Sequence, residues 1–287
     1  MTTYPPVKWI APDGGDRPSF SRDGSEVVYQ IGNDLLIIGS NGGTPRLLLA
    51  GTETLVPSQA DWSWSPCTIA FGGQNPKDKV STIWLIESDG TNLRQLPNHG
   101  TLTHSTYPSW YEDLQSIVVV DSGNRHFHAL WRLTVDGSAD PVQLTSMDNF
   151  CAGRPTAAPG GTNAPVAFAG TIGPYNEDFN QIWTVQPPSL GATQLDPQQG
   201  RSPNWSPDGQ WILYESNRLT GPNGNYQLFI AEAPSAAIAA MEPVPVTDPS
   251  FFAQHAEWSR QQDRIVFERG KTGEALGVIE VPGQFRG

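Results

Sequence analysis

The chain has 287 residues, of which 37% are hydrophobic and 16% charged, with 29 glycines, 26 prolines and a formal net charge of −12. This is enough apolar material for an ordinary core, broken by many turn residues, which excludes a disordered chain. The negative charge, with no basic run to offset it, excludes nucleic acid and an anionic membrane surface as partners.

The first segment, MTTYPPVKWIAPDGG, has no basic stretch followed by an apolar one. No run of about 18 apolar residues occurs later in the chain. The expectation is no secretory signal, no membrane insertion and a cytoplasmic protein, or a periplasmic one where a leader has been removed.

From residue 16 onward one pattern returns. It is set by RPSFSRDGSEVVY, in which an aromatic residue, Phe20, precedes a turn and then a run of β-branched and aromatic residues. Copies follow at Trp64 in WSWSPCTIAF, Trp110 in YPSWYEDLQSIVVV, Trp205 in SPNWSPDGQWILY and Trp258 in HAEWSRQQDRIVF. In RPTAAPGGTNAPVAF, Ala157 stands at the aromatic position. Six copies spaced 44 to 53 residues apart are the signature of a repeat architecture.

Within a copy, four short runs are separated by turn signals. The second runs, EVVYQ, CTIAF, SIVVV, APVAF, QWILY and DRIVF, are short, lack a helical period and suit buried strands. The third runs, DLLIIGSNG, TIWLIESDG, ALWRLTVDG, QIWTVQPPS, QLFIAEAPS and ALGVIEVPG, mostly close on Asn-Gly, Asp-Gly or proline, as hairpins do. The fourth runs, PRLLL, LRQLP, PVQLT, ATQLD and PVPVT, lack a sixth member. That member is expected from the other end of the chain, because PPVKWIAPDG precedes RPSFS as PVQLT precedes GRPTA. Closing the ring in this way removes exposed sheet edges.

The predicted fold is all-β: one domain forming a six-bladed β-propeller of four-stranded blades, with the N-terminal strand closing the last blade. The repeats span about residues 16–54, 55–103, 104–150, 151–199, 200–250, and 251–287 together with 1–15. Trp64, Trp110, Trp205, Trp258, Trp84, Trp131 and Trp183 recur at fixed phases, which assigns them to packing between blades rather than to sugar stacking. Trp9, Trp62 and Trp211 receive no assignment. Cys67 falls in a predicted strand and Cys151 in a predicted loop, and neither has the spacing of a zinc or redox motif.

The WSPDG turn, the ILYES-like strand, the IW or LF pair, the DG hairpin and the QLT strand together resemble the PD40 (WD40-like) repeat of TolB-like propellers. The resemblance covers essentially the whole chain. It implies this fold and a ligand-binding or protein–protein interaction role, although a fold does not by itself fix a function.

In such a ring the innermost strands line a central channel. The loops leading into them share one face with the loops joining second and third strands. Repeat register places Arg17, Asp61, Tyr107, Arg154, Arg201, Arg218, His255 and Glu268 on that face as candidate ligand-binding residues. Arginines at the mouth of an otherwise acidic protein suit bidentate pairing with a carboxylate. The competing expectation is that they pair with Asp16 or Asp61 and stitch blades together.

All five histidines, His99, His104, His126, His128 and His255, fall in loops assigned to the same face. Among them His104, His126 and His128 form a candidate site for a divalent metal ion in or near the channel.

The leading functional expectation is a binding propeller whose funnel at the channel mouth takes a small anionic molecule or a peptide or protein segment. The alternative is a metal-assisted lyase, cyclase or hydrolase using the same funnel, as the similarity of the repeat to that of the metal-dependent oligogalacturonate lyases implies. A third is a stand-alone form of the propeller that caps prolyl oligopeptidases. No GxSxG, HExxH or phosphate-loop motif singles out a catalytic residue. A closed ring needs no partner for stability, so a monomer is the default.

Overall fold

The computed structural model of the chain describes residues 3–65, 67–97, 102–123, 127–146, 150–173, 180–221, 223–234 and 242–286. In the first and fifth copies the serine and aspartate of the recurring turn build the hairpin that opens the blade. In the first copy Ser21 Oγ donates to Asp23 Oδ1 at 2.8 Å and accepts the Glu26 N–H at 3.0 Å. In the fifth, Ser206 and Asp208 repeat this at 2.5 Å, with the Trp211 N–H at 2.9 Å. Gly24 and Gly209 follow with φ of 71° and 70°, a left-handed conformation that glycine enters without steric cost.

Each hairpin extends into an antiparallel sheet of four strands, from the channel outward. The first blade is β2 (Asp16–Phe20), β3 (Glu26–Ile31), β4 (Asp34–Gly39) and β5 (Arg46–Leu49). The second is β6 (Val56–Trp62), β7 (Thr68–Gln74), β8 (Ser81–Glu87) and β9 (Arg94–Gln95). The third is β10 (Ser105–Trp110), β11 (Ser116–Asp121), β12 (Ala129–Thr134) and β13 (Val142–Gln143). The fourth is β14 (Phe150–Ala157), β15 (Val166–Ile172), β16 (Gln181–Val185) and β17 (Ala192–Asp196). The fifth is β18 (Arg201–Trp205), β19 (Trp211–Ser216), β20 (Gln227–Glu232) and β21 (Val244–Pro245). The sixth is β22 (Ala253–Trp258), β23 (Arg264–Arg269), β24 (Ala275–Glu280) and β1 (Lys8–Ala11), with Lys8 opposite Val278 and Trp9 opposite Gly277. The N-terminal strand therefore closes the last blade, as the sequence predicts.

The innermost strands touch in chain order, and β22 returns to β2, which makes the ring. Apolar clusters straddle neighbouring blades: Ala70 and Leu85 of the second pack with Trp110 and Ile117 of the third. A belt of hydrogen bonds runs beside them. At five of the six joints the polar residue preceding one anchor accepts the anchor N–H of the next blade: Ser19 from Trp62 at 3.0 Å, Asp61 from Trp110 at 2.8 Å, Ser109 from Ala157 at 3.4 Å, Asn204 from Trp258 at 2.9 Å and Glu257 from Phe20 at 3.0 Å. Burying these backbone groups without partners would be costly, so the belt holds the blades in register.

That belt corrects one expectation. The second anchor is Trp62, which is 1% exposed and lies opposite Ile69 as Trp110 lies opposite Ile117. Trp64 sits two residues on, in the turn, half-buried. The cysteines also exchange places: Cys67 is exposed just ahead of β7, whereas Cys151 is buried within β14, which begins earlier than its repeat pattern suggests. Of the unassigned tryptophans, Trp9 meets Phe251 and Phe267 edge-on at 6.0 Å, and Trp211 meets Phe285 at 5.0 Å. Among the described residues no helix is long and apolar enough to cross a membrane.

Candidate functional site at the channel mouth

The geometry of the channel mouth starts from one backbone irregularity repeated six times. Three residues before each anchor, Arg17, Gln59, Tyr107, Arg154, Ser202 and His255 adopt φ between 47° and 56°. The pairing of first and second strands slips at the same place in every blade. Such bulges redirect a side chain out of the pleat. All six residues line one axial cavity of about 120 Å³.

Arg17 and Arg154 come from opposite blades of the ring and meet at one phenol. Their guanidinium carbons lie 5.4 and 5.9 Å from the centroid of the Tyr107 ring, within cation–π range. Burial acts to raise the Tyr107 hydroxyl, but the Arg154 and Arg17 charges pull it below its ordinary value. Gln59 Oε1 accepts the Tyr107 N–H at 3.0 Å and fixes this blade against the second.

A buried polar chain runs behind the other half of the ring. Arg154 Nη1 donates to Ser202 Oγ at 2.8 Å and to Glu215 Oε1 at 3.2 Å. Arg201 Nη2 bridges Glu215 Oε2 at 3.3 Å and Gln254 Oε1 at 3.1 Å, and its guanidinium stacks 3.9 Å from the Tyr226 ring centroid. Gln254 Nε2 donates to Glu268 Oε1 at 2.6 Å. His255 Nδ1 lies 2.7 Å from Glu268 Oε2 and 3.1 Å from Asp16 Oδ1, and Arg17 Nε donates to Asp16 Oδ2 at 3.4 Å. The chain thus links Arg154 to Arg17 through the fifth, sixth and first blades.

The acids in this chain titrate apart. Burial acts to raise Glu215, yet Arg201, His255 and Arg154 hold it below the usual carboxylate range. Burial likewise opposes ionisation of Asp16, but its hydrogen bonds with His255 and Glu268 hold it well below that range. Glu268 goes the other way, pushed up by burial. Asp16, His255 and Glu268 offer three ligand atoms within 4.8 Å of one another.

Toward the other end of the channel a smaller hollow of about 30 Å³ is lined by Asp61, Trp64, Glu257 and Arg260 among others. Arg260, from the turn after β22, reaches Asp61 Oδ1 at 3.4 Å and lies 5.1 Å from the Trp64 ring centroid. Asp61 and Glu257 face this end, both raised by burial, Glu257 to about 8.

Arg17, Asp61, Tyr107, Arg154 and His255 of the sequence-predicted set therefore line the axial cavity. Arg201 and Glu268 stand behind it in the polar chain. Arg218 does not line it; it is bound to Asp196 and Tyr214 and lies 4.9 Å from the Phe229 ring centroid. His104 N–H donates to Asp121 Oδ2 at 3.0 Å, and His128 lines a neighbouring hollow. His126 and His99 lie outside the described residues. Sequence reasoning missed Gln59, which anchoring on Trp62 would have placed in the ring, and Arg260, for which the repeat gives no signal.

These features define a class: a closed six-bladed propeller with a polar funnel at the mouth of its channel. Its particular likeness is TolB-like. A TolB-assigned protein from Agrobacterium tumefaciens superposes with a TM-score of 0.68 at 15% identity, covering 96% of this chain and 97% of that one. TolB from Acinetobacter baumannii does so with a TM-score of 0.59 at 14% identity, over 91% of this chain and 64% of the other. An oligogalacturonate lyase in complex with manganese gives 0.61 at 12% identity, over 94% and 78%. In sequence, 101 residues are 26% identical to an oligogalacturonide lyase of Pectobacterium atrosepticum, a match that spans 31% of this chain and only 26% of the lyase. No protein-family model matches the sequence.

Proposed function

We propose that this propeller is a ligand-recognition domain whose funnel binds a carboxylate, on a small molecule or on a peptide or protein segment. The observation that carries the reading is the convergence of Arg17 and Arg154 on Tyr107 inside the axial cavity. Each guanidinium already pairs with an acid, Arg17 with Asp16 and Arg154 with Glu215, and a ligand carboxylate would add to these pairs by offering oxygens to both arginines. Hydrogen bonds to a charged group are worth about 1.5–3 kcal/mol each, so removing one arginine should weaken binding about ten- to a hundredfold.

The test is calorimetric titration of the full chain with acetate, succinate and citrate. Binding that falls at least tenfold in both Arg17→Gln and Arg154→Gln supports the reading. Absence of binding by all three acids, or binding indifferent to both substitutions, overturns it.

A metal-assisted lyase is the second reading, favoured by the Asp16, His255 and Glu268 cluster together with the likeness to the lyases. One imidazole nitrogen and two carboxylate oxygens are a donor set that suits an ion of the manganese type. Such an ion, when bound, would supply a Lewis acid to polarise a substrate carboxylate. Of this chain's own residues, Gln254 orients Glu268 and the arginines would orient the acid. Stoichiometric manganese, lost in His255→Ala but retained in His104→Ala and His128→Ala, would favour this reading over both simple binding and the site first expected at His104, His126 and His128.

A further inference from the structure

Beside the axial cavity lies a hollow of about 220 Å³ between the third and fourth blades, sharing Tyr107 and Arg154 with it. Its origin is legible in the strand register. Immediately before each bulge, the first and second strands of a blade present one cross-strand pair. In the fifth blade this pair is Arg201 opposite Glu215 and in the sixth Gln254 opposite Glu268, and their hydrogen bonds fill the space between blades. In the third blade the same pair is Thr106 opposite Val120, and in the fourth it is Gly153 opposite Ala169. Small and apolar residues stand where the other half of the ring carries long polar ones, and the hollow is the space they leave.

We propose that this hollow is the second half of the binding site: it takes a compact uncharged group, aromatic or branched aliphatic, carried by the acid whose carboxylate sits between Arg17 and Arg154. The inference rests on the carboxylate reading of the funnel. Volume sets the size of the group, because a cavity of about 150 Å³ already holds benzene. Val120, Gly153 and Ala169 offer no charge. The recognised chemistry is then a carboxylic acid bearing a compact apolar group, an apolar amino-acid residue with its free carboxyl among them, met either as a free acid or as the C-terminal residue of a peptide.

Gly153 provides a clean perturbation. A Cβ built there meets only the Ala169 carbonyl oxygen, at 3.9 Å, and the backbone is not in the left-handed region. Gly153→Ala and Gly153→Leu therefore fill the hollow in steps without straining the strand. The full chain is titrated with acetate, with N-acetylphenylalanine and with N-acetylphenylalanine amide, which lacks the carboxylate. Wild-type protein should bind N-acetylphenylalanine at least tenfold more tightly than acetate and should not bind the amide. Gly153→Leu should abolish that tenfold advantage over acetate, with Gly153→Ala between them.

Equal affinity for acetate and N-acetylphenylalanine in the wild type, or an unchanged preference in Gly153→Leu, overturns the hollow while the carboxylate funnel stands. If neither acid binds, the funnel reading fails and the hollow with it. Peptides ending in phenylalanine separate the two sources: binding with a free C-terminus identifies a peptide end, and exclusion alongside bound N-acetylphenylalanine identifies a free acid.

Discussion

Replacing Glu257 by glutamine is expected to stabilise the protein by an amount that grows with pH. Glu257 is 8% exposed, and its Oε1 accepts the Phe20 N–H at 3.0 Å, the bond that joins the last blade to the first. Burial pushes its carboxyl from an ordinary 4.5 up to about 8, against the pull of Arg260 and with Asp61 acting in the same direction as burial. The folded value is the higher one, so the group's contribution to stability is complete below its unfolded pKa and is lost as pH rises through the folded one. At about 1.4 kcal/mol per pH unit, most of that window corresponds to a loss on the order of 2–4 kcal/mol. Glutamine keeps a carbonyl acceptor for the Phe20 N–H and has nothing to ionise. Urea denaturation of both proteins at about pH 5, 6.5 and 8 should show the advantage of Glu257→Gln widening by roughly that amount. An advantage that stays constant, or that shrinks as pH rises, would refute burial as the force controlling this carboxyl.

Two further outcomes test the frame around the funnel. Trp62→Ala should cost about 3–5 kcal/mol in the same denaturation assay, the range for a fully buried aromatic, and Trp64→Ala less than half of that, because Trp62 is fully buried between the first and second blades whereas Trp64 is only partly buried against the next cluster. Deleting residues 1–11 should lower the melting temperature sharply and produce concentration-dependent association in size-exclusion chromatography, because β24 would then present an open edge. An unchanged, monomeric elution profile and melting temperature would refute closure through β1.

The ring was legible because its cause is local and repeated. Turn residues at fixed offsets, β-branched runs and an aromatic anchor recur often enough to reveal a period even where the fourth copy has Ala157 for tryptophan. Closure by PPVKWIAPDG was legible from a missing fourth run. The second anchor was not, because WSWSP offers two tryptophans two residues apart and the Ser-Pro turn of the fifth copy favours the wrong one. Only the hydrogen bond from the Trp62 N–H to Ser19, made across blades, decides between them. The site was legible in part for a similar reason. Arg17, Tyr107 and Arg154 share a phase and were placed together at the mouth, but the phase does not say which way a bulged residue turns. Arg218 shares the upper face and still points elsewhere, because Asp196 and Tyr214 bind it locally. The partnership of His255 with Asp16 joins residues 239 apart in sequence, and nothing short of the closed ring brings them together.

The same geometry separates what the repeats share from what they do not. At the anchor position five of six residues are aromatic, which is what packing between blades requires. At the bulge position the backbone is as constant, with φ between 47° and 56° in every blade, yet the side chains are Arg17, Gln59, Tyr107, Arg154, Ser202 and His255. A non-glycine residue in this conformation costs about 1–2 kcal/mol, and glycine or asparagine would adopt it more readily. None of the six is either. Strain accepted six times, by residues that all line the axial cavity, is not explained by blade packing, which the anchors and the polar belt already supply. It is explained if those side chains have something to hold: two arginines about a phenol suit a charged end, and the hollow beside Tyr107 and Arg154, between the third and fourth blades, suits a neutral one.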